Sequence, residues 1–335
     1  MKKISTIAVS LSFLVVVLGA YTRLTNAGLS CPDWPGCYGY MVLPQSEQLH
    51  RELPLLQARY PHMPVELKKA WTEMGHRYAA FILALLILFI AAHALYKRSQ
   101  QQNFPWKLPC FVMLLVLLQA ILGMWTVTLQ LFPLVVTAHL LMGMTIFACL
   151  SLLLLRQTNI NWHIPNDPIN WRVWLGLGLV IVFGQIALGG WVSANYAGIA
   201  CVGFPRCNGY WLPPLDFRHS FNFLVPLGHN YQGGTLSSTA RVTIQIMHRL
   251  GALLTTIYIC SLGLLLWGQV KNITVRIWVS LTILLVLSQV LLGIINVVYW
   301  LPLSVATLHN AVAAILFADL VFLFASIHHD KHANN

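Results

Sequence analysis

The sequence predicts an all-α integral membrane protein, with eight transmembrane helices arranged as two tandem, pseudo-symmetric four-helix bundles. Three observations carry that prediction. The 335-residue chain is 58% hydrophobic and only 9% charged, where soluble domains carry about 25% charged residues. Several apolar runs approach or reach the roughly 20 residues that a spanning helix needs. Finally, the chain overlays itself on a shift of 170 residues. That shift puts Cys31 on Cys201, Cys37 on Cys207, Ala27-Gly28 on Ala197-Gly198, Pro35 on Pro205, Pro44 on Pro214 and Gln119 on Gln289, with Gly123 on Gly293 and His139 on His309. Repeats of this kind decide the architecture before any local reading does.

Taken in order, Met1-Lys2-Lys3 ahead of the apolar run 4–21 has the form of a signal peptide, with a basic start and a short apolar core. The repeat requires this run as a helix, so it is read as the first span and not as a cleaved leader. The remaining spans are 78–96, 108–127, 134–155, 173–192, 242–267, 278–298 and 303–327. The links after Tyr96 and Trp267 are short and basic (Lys97, Arg98 and Lys107; Lys271 and Arg276), whereas those at 131–133 and 299–301 carry no charge. The positive-inside rule, which governs short links, therefore puts both termini in the cytoplasm. Two long segments, 22–75 and 193–241, then lie on the outer face, each holding one cysteine pair. Their Gly, Pro and aromatic content predicts ordered, partly helical caps, with Pro54, Pro61 and Pro64 punctuating the first and Gly228, Gly233 and Gly234 loosening the second. The net charge of +11 comes from basic residues scattered singly between apolar runs. They read as topology signals and anion contacts, not as a nucleic-acid surface. Four helices return the chain to its starting side, so the halves 1–158 and 159–335 share one orientation.

Each half places one histidine near the outer end of its second span and one near that of its fourth: His76 and His139, then His248 and His309. His139 lies five residues into its run, about 8 Å deep at 1.5 Å per residue. Two imidazoles at matching depth inside a four-helix bundle suit six-coordinate haem iron, with one ligand on each face. Arg77 and Arg249 follow the first histidine of each half and are candidates to pair with haem propionates. His93 has no repeat partner and reads as structural, and His328, His329 and His332 read as a solvated tail. The halves differ at one chemically telling place. Glu73 stands one helical turn before His76, and Gln245 holds the corresponding position before His248. A carboxylate can take a proton or steady a developing cation, which an amide does poorly, so the N-terminal half is the expected reactive one.

The segments Cys31-Pro-Asp-Trp-Pro-Gly-Cys37 and Cys201-Val-Gly-Phe-Pro-Arg-Cys207 both face the outer, oxidising side. Five intervening residues with a proline can turn back on themselves, which permits disulfides Cys31–Cys37 and Cys201–Cys207. Loop staples are the first reading, and a redox role for Cys31–Cys37 the alternative. Cys110, Cys149 and Cys260 fall within spans and read as packing residues.

With these residues in hand, the chain resembles the haem A synthase family. The resemblance rests on eight helices in two halves, on the stretch Gly-Leu-Ser-Cys-Pro-Asp-Trp-Pro-Gly-Cys at 28–37, and on Glu73-x-x-His76-Arg77. It implies an enzyme that oxidises the C8 methyl of haem O to a formyl group, supplying haem A to terminal oxidases. It further implies a haem b cofactor on His248 and His309, haem O facing His76 and His139, and Glu73 as the essential glutamate. The expected setting is a bacterial inner membrane. Haem O synthase and an electron-transfer protein are the expected partners, and a homo-oligomer is left open. Two other functions fit the bare histidine pattern: a di-haem cytochrome b that only passes electrons, and a non-catalytic haem carrier.

Overall fold

Among the described residues, eight helices are long and apolar enough to cross a membrane. The structure is a computed structural model and describes residues 1–44, 46–60, 65–158, 162–164, 170–223 and 225–329. The first half contains α1 (Lys2–Leu24), α2 (Ser46–Arg59), α3 (Leu67–Gln100), α4 (Lys107–Thr128) and α5 (Pro133–Arg156). The second contains α6 (Trp171–Ala194), α7 (Phe217–Ser220), α8 (Ser238–Gln269), α9 (Ile273–Val298) and α10 (Leu303–Ser326). All but α2 and α7 are candidate spans. The expected spans are all present, and all but the last extend beyond their apolar runs, α3 the furthest. Helix α3 starts eleven residues before Tyr78, and α8 starts at Ser238. Glu73, His76 and Arg77 therefore sit inside one continuous helix. Nothing in the stretch between Leu67 and Tyr78 breaks the helix, and Ala70 and Met74 bury their side chains under the outer cap.

The neighbours of each helix follow one pattern in both halves. Helix α1 touches α3 and α5, α3 touches α4, and α4 touches α5; likewise α6 touches α8 and α10, α8 touches α9, and α9 touches α10. Between the halves, α1 and α5 meet α10, and α5 meets α6. The largest apolar core crosses this seam, with Met144 and Phe147 of α5 packed among Leu175, Ile259, Phe317, Leu320 and Phe322. Phe81, Leu85, Phe89, Leu253, Ile257 and Leu264 are exposed, as lipid-facing residues of spanning helices are.

Both long outer segments are ordered and partly helical. Helix α2 runs through Pro54, so that proline does not end a segment as the sequence suggested. Burial of Leu56 against Tyr38, Leu43 and Met74 holds the helix to the cap. Pro61 and Pro64 lie outside the described residues. The two cysteine loops are built alike. Each has a cis X-Pro bond (Trp34–Pro35, Phe204–Pro205), an isolated bridge (Cys37 to Tyr40, Cys207 to Tyr210) and a closed disulfide, Cys31–Cys37 with S–S 2.05 Å and Cys201–Cys207 with S–S 2.08 Å. Left-handed backbone recurs at matching places: Asn26 and Tyr196, Tyr38 and Asn208, Leu131 and Leu301. The second cap also reaches over the first half, where the Tyr231 N–H donates to the Gln130 carbonyl at 3.0 Å and the Tyr231 ring packs on Phe132.

A parallel pairing of β1 (Trp162–Ile164) with β2 (Ile327–His329) was not expected from the sequence. It joins the chain after α5 to the chain after α10, at the end of the bundle away from the cysteine loops. His328 and His329 belong to β2 by backbone and so are not a free tail, and His332 lies outside the described residues.

Candidate functional site

The four histidines project from α3, α5, α8 and α10 near the cap end of the molecule, and each is only partly buried. Each presents the Cε1 edge of its ring to a glycine on a neighbouring helix. A Cβ placed on Gly19 of α1 would stand 3.0 Å from His76 Cε1, and one on Gly189 of α6 would stand 3.2 Å from His248 Cε1. For Gly123 of α4 and His139 the distance is 3.2 Å, and for Gly293 of α9 and His309 it is 3.5 Å. Gly19 and Gly189 are related by the same 170-residue shift as Gly123 and Gly293. A glycine in a helix interior costs stability relative to alanine. Here the missing Cβ is what lets an imidazole lie flush against the next helix.

Backbone anchors complete the seats. Gln119 Nε2 donates to the His139 carbonyl at 3.1 Å, and Gln289 Nε2 to the His309 carbonyl at 2.8 Å. The repeat made these two glutamines stand out, and the structure gives them a task. Gln185 of α6 lies 3.1 Å from His248 Nδ1 and donates to the His248 carbonyl at 3.0 Å. The Nδ1 atoms of His76, His139 and His309 are sealed without a partner. No Nε2 of the four is among the sealed, unpartnered atoms or in a hydrogen bond, so Nε2 is the open nitrogen in each. His76 and His139 lie within electrostatic reach of one another, as do His248 and His309.

This donor set fits haem iron held by one imidazole per face. Among the described residues no group of three or more His, Cys, Asp or Glu side chains could hold a metal ion, so a polydentate metal centre lacks its ligands. The glycine seats leave the rings edge-on to their neighbours with one nitrogen free, which is what axial ligation requires.

Glu73 is 4% exposed, and both of its oxygens are taken. The Cys31 N–H donates to Oε2 at 2.8 Å, and Arg77 Nη2 pairs with Oε1 at 2.6 Å. Arg77 Nη1 donates in turn to the carbonyls of Asp33 at 2.9 Å and Gly36 at 2.5 Å. The pair thus ties α3 to the first disulfide loop. In the second half Arg249 Nη2 donates to the carbonyls of Cys201 at 2.7 Å and Gly203 at 2.9 Å, with no carboxylate involved. Gln245 is buried there with its Oε1 unpartnered. Lys69 pairs with Glu66 and not with Glu73. In the first cap, burial and then the neighbouring Glu73 charge push the Tyr38 phenol up to about 12.

The site residues named from sequence are thus gathered under the two caps. Three contributors were missed: Gly19, Gly189 and Gln185. The glycines were legible in the repeat, at the same offset as the cysteines. Gln185 is a lone amide in an apolar helix, a signal in its own right, but it has no counterpart, since Val15 occupies the matching position.

The family model described as COX15-CtaA, cytochrome oxidase assembly protein, matches residues 2–321. A Shewanella oneidensis protein named Heme A synthase is 41% identical over 313 residues, covering 92% of this chain and 91% of that protein. A protein of the same name from Caulobacter vibrioides is 29% identical over 343 residues, covering 93% and 91%. One from Nitrosomonas eutropha is 26% identical over 349 residues, covering 95% and 90%.

Proposed function

The chain belongs to the COX15-CtaA family of cytochrome oxidase assembly proteins, and from that premise we propose that it is an enzyme, a haem A synthase, which oxidises the C8 methyl of haem O to a formyl group. The observation that carries the reading is the paired imidazole, present twice, each ring with an open Nε2 and its Cε1 edge seated on a helical glycine. In this reading residues 1–158 bind haem O between His76 and His139. Residues 159–335 hold haem b between His248 and His309. Haem b, when bound, supplies one-electron redox chemistry.

The chain's own residues orient the substrate, exclude water and handle protons. The Gly19 and Gly123 seats fix the planes of the His76 and His139 rings, and with them the face and rotation of the substrate haem. The first disulfide loop, held by Arg77 and Glu73, covers that half from the outer side. Turning a methyl into a formyl group with water as the oxygen source releases four electrons, which pass to the electron-transfer partner, and four protons. Glu73 is the one carboxylate on α3 beside a candidate ligand, and it is assigned to this proton handling. A second reading follows from its hydrogen bonds: Glu73 anchors the loop and takes no part in chemistry. Arg249 keeps a buried, unpartnered Nε for a haem propionate. Arg77 commits both Nη atoms to the loop and Glu73, so only its Nε is free for the same purpose.

The setting that goes with this reading is the bacterial inner membrane, with both termini cytoplasmic and the cysteine loops outside. Haem O synthase is the proposed supplier of substrate, and an electron-transfer protein the proposed acceptor. Extraction of the pigment from membranes of cells that express the chain and make haem O tests the proposal. Haem A or a hydroxylated haem O is expected. Recovery of unmodified haem alone, from a protein that retains its haem, overturns it in favour of a di-haem cytochrome.

A further inference from the structure

The two halves are alike around His139 and His309 and unlike around His76 and His248. Beside His248, the Gln185 side chain bridges the histidine's own carbonyl and its Nδ1, at 3.0 and 3.1 Å. With iron on Nε2 the proton sits on Nδ1, which then donates to the Gln185 oxygen; without iron the Gln185 nitrogen donates to the His248 carbonyl, and in both cases the amide lies against the ring. Glycine at 251 on α8 leaves room for the amide end of Gln185 at this position. A Cβ at Gly251 would stand 2.3 Å from Gln185 Oε1 and 3.1 Å from Leu188.

In the first half both residues of this arrangement are changed. Position 15 of α1, which matches 185, is valine, and position 79 of α3, three residues after His76 as 251 is after His248, is alanine. The Val15 backbone interacts with the His76 ring, but no side chain takes the place of Gln185 and His76 Nδ1 has no well-aligned partner. A glutamine at 15 would meet the Ala79 Cβ where Gln185 meets none. The two differences are thus steric complements: the large polar residue occurs with glycine, and the short apolar one with alanine.

We propose that Gln185, seated on Gly251, is a positioning residue that makes the C-terminal haem site retentive, and that Val15 with Ala79 leaves the N-terminal site free to exchange its haem. The physical reason lies in the partner of the ligand. An axial histidine whose second nitrogen is held loses little orientation when the iron leaves and regains it at no further cost. Groups of this kind change metal affinity by about 10- to 100-fold. A substrate haem that must enter and leave as product needs the opposite, a ligand whose second nitrogen no side chain holds. The inference rests on the proposed division into a cofactor half and a substrate half.

The test is haem release from the purified full-length protein to an excess of apomyoglobin, followed in the Soret band, with haem content from pyridine haemochrome spectra. Gln185→Val and Gly251→Ala are each expected to release haem b about 10-fold or more faster than wild type, while the low-spin spectrum of the remaining bound haem persists because His248 and His309 are intact. Release within twofold of wild type in both variants overturns the proposal. His248→Ala separates this failure from that of the underlying assignment. If His248→Ala keeps a full complement of haem b, the cofactor half is misassigned. If it loses haem b while Gln185→Val does not, only the role of Gln185 falls. The reciprocal change, Val15→Gln with Ala79→Gly, is expected to retain a second haem per chain, and Val15→Gln alone is not. A double variant that keeps haem b in its other half but gains no second haem overturns the part concerning the N-terminal site.

Discussion

Glu73→Gln is the substitution that best separates chemistry from scaffolding in the N-terminal half. It removes the charge from a carboxylate that is 4% exposed and leaves Arg77, whose side chain is 13% exposed, without its 2.6 Å partner. Breaking a buried ion pair from one side commonly costs about 3–5 kcal/mol, because the remaining charge is uncompensated. Two features lower that figure here. Arg77 keeps the carbonyls of Asp33 and Gly36, and a glutamine oxygen can still accept from the Cys31 N–H. The second half runs this arrangement already, with Gln245 buried and Arg249 held by loop carbonyls alone. The expected loss of stability is therefore that of one imperfectly satisfied buried group, about 1–3 kcal/mol, and the protein folds with haem b in place. Loss of a proton-handling group costs about 10²- to 10⁴-fold in rate. The assay is the haem A to haem O ratio in extracted pigment, measured beside thermal loss of the haem b signal. Haem A output within twofold of wild type refutes the catalytic role and leaves Glu73 as the anchor of the disulfide loop.

Two further outcomes are expected. His309→Ala loses the low-spin haem b spectrum, whereas His139→Ala keeps it and loses haem A. Reduced-minus-oxidised spectra with pigment analysis decide this, and an unchanged haem b signal in His309→Ala counts against the assignment of the halves. The second concerns Tyr38, whose phenol is raised to about 12 by burial and by the nearby Glu73 charge. A raised folded value means that the neutral phenol stabilises the first cap fully below the unfolded value near 10, and that this contribution is lost as pH rises from 10 through about 12. Tyr38→Phe, which cannot ionise, is expected to remove the part of the alkaline loss of protease resistance around the Cys31–Cys37 loop that falls in this window. An identical alkaline profile in the variant contradicts it.

The spans, the caps, the four histidines and the disulfide spacings were legible because each leaves a periodic or compositional trace. Apolar runs of about 20 residues are such a trace, and so are identical residues 170 apart. The start of α3 was not legible, because nothing in the composition of Leu67 to Arg77 separates helix from loop. What fixes it is burial of Ala70 and Met74 beneath the cap. The β1–β2 pairing joins residues more than 160 positions apart through three-residue strands, too short to leave a period-two pattern. The orientation of Glu73 was also hidden. Helical spacing puts it one turn from His76, but the hydrogen bonds turn its carboxylate to Cys31 and Arg77. Spacing along a helix fixes a face, and tertiary partners fix where on that face a side chain points.

The differences between the halves are not spread evenly, and the packing gives a reason. His139 and His309 stand on α5 and α10, which touch across the seam, and both keep the same glycine seat and the same glutamine on the histidine carbonyl. A change of volume in either helix would be felt by both halves, since close-packed cores transmit strain. His76 and His248 stand on α3 and α8, whose neighbours are α1 and α4, or α6 and α9, within their own half. Here the two halves part company in three places within about one helical turn of the histidine or facing it: Glu73 against Gln245, Val15 against Gln185, and Ala79 against Gly251. One histidine of each pair is thus tied to the common seam, and the other belongs to its half alone. In the proposed reading, the two halves keep a shared geometry for two haems and still hold one while exchanging the other, by changes confined to the α3 and α8 sides.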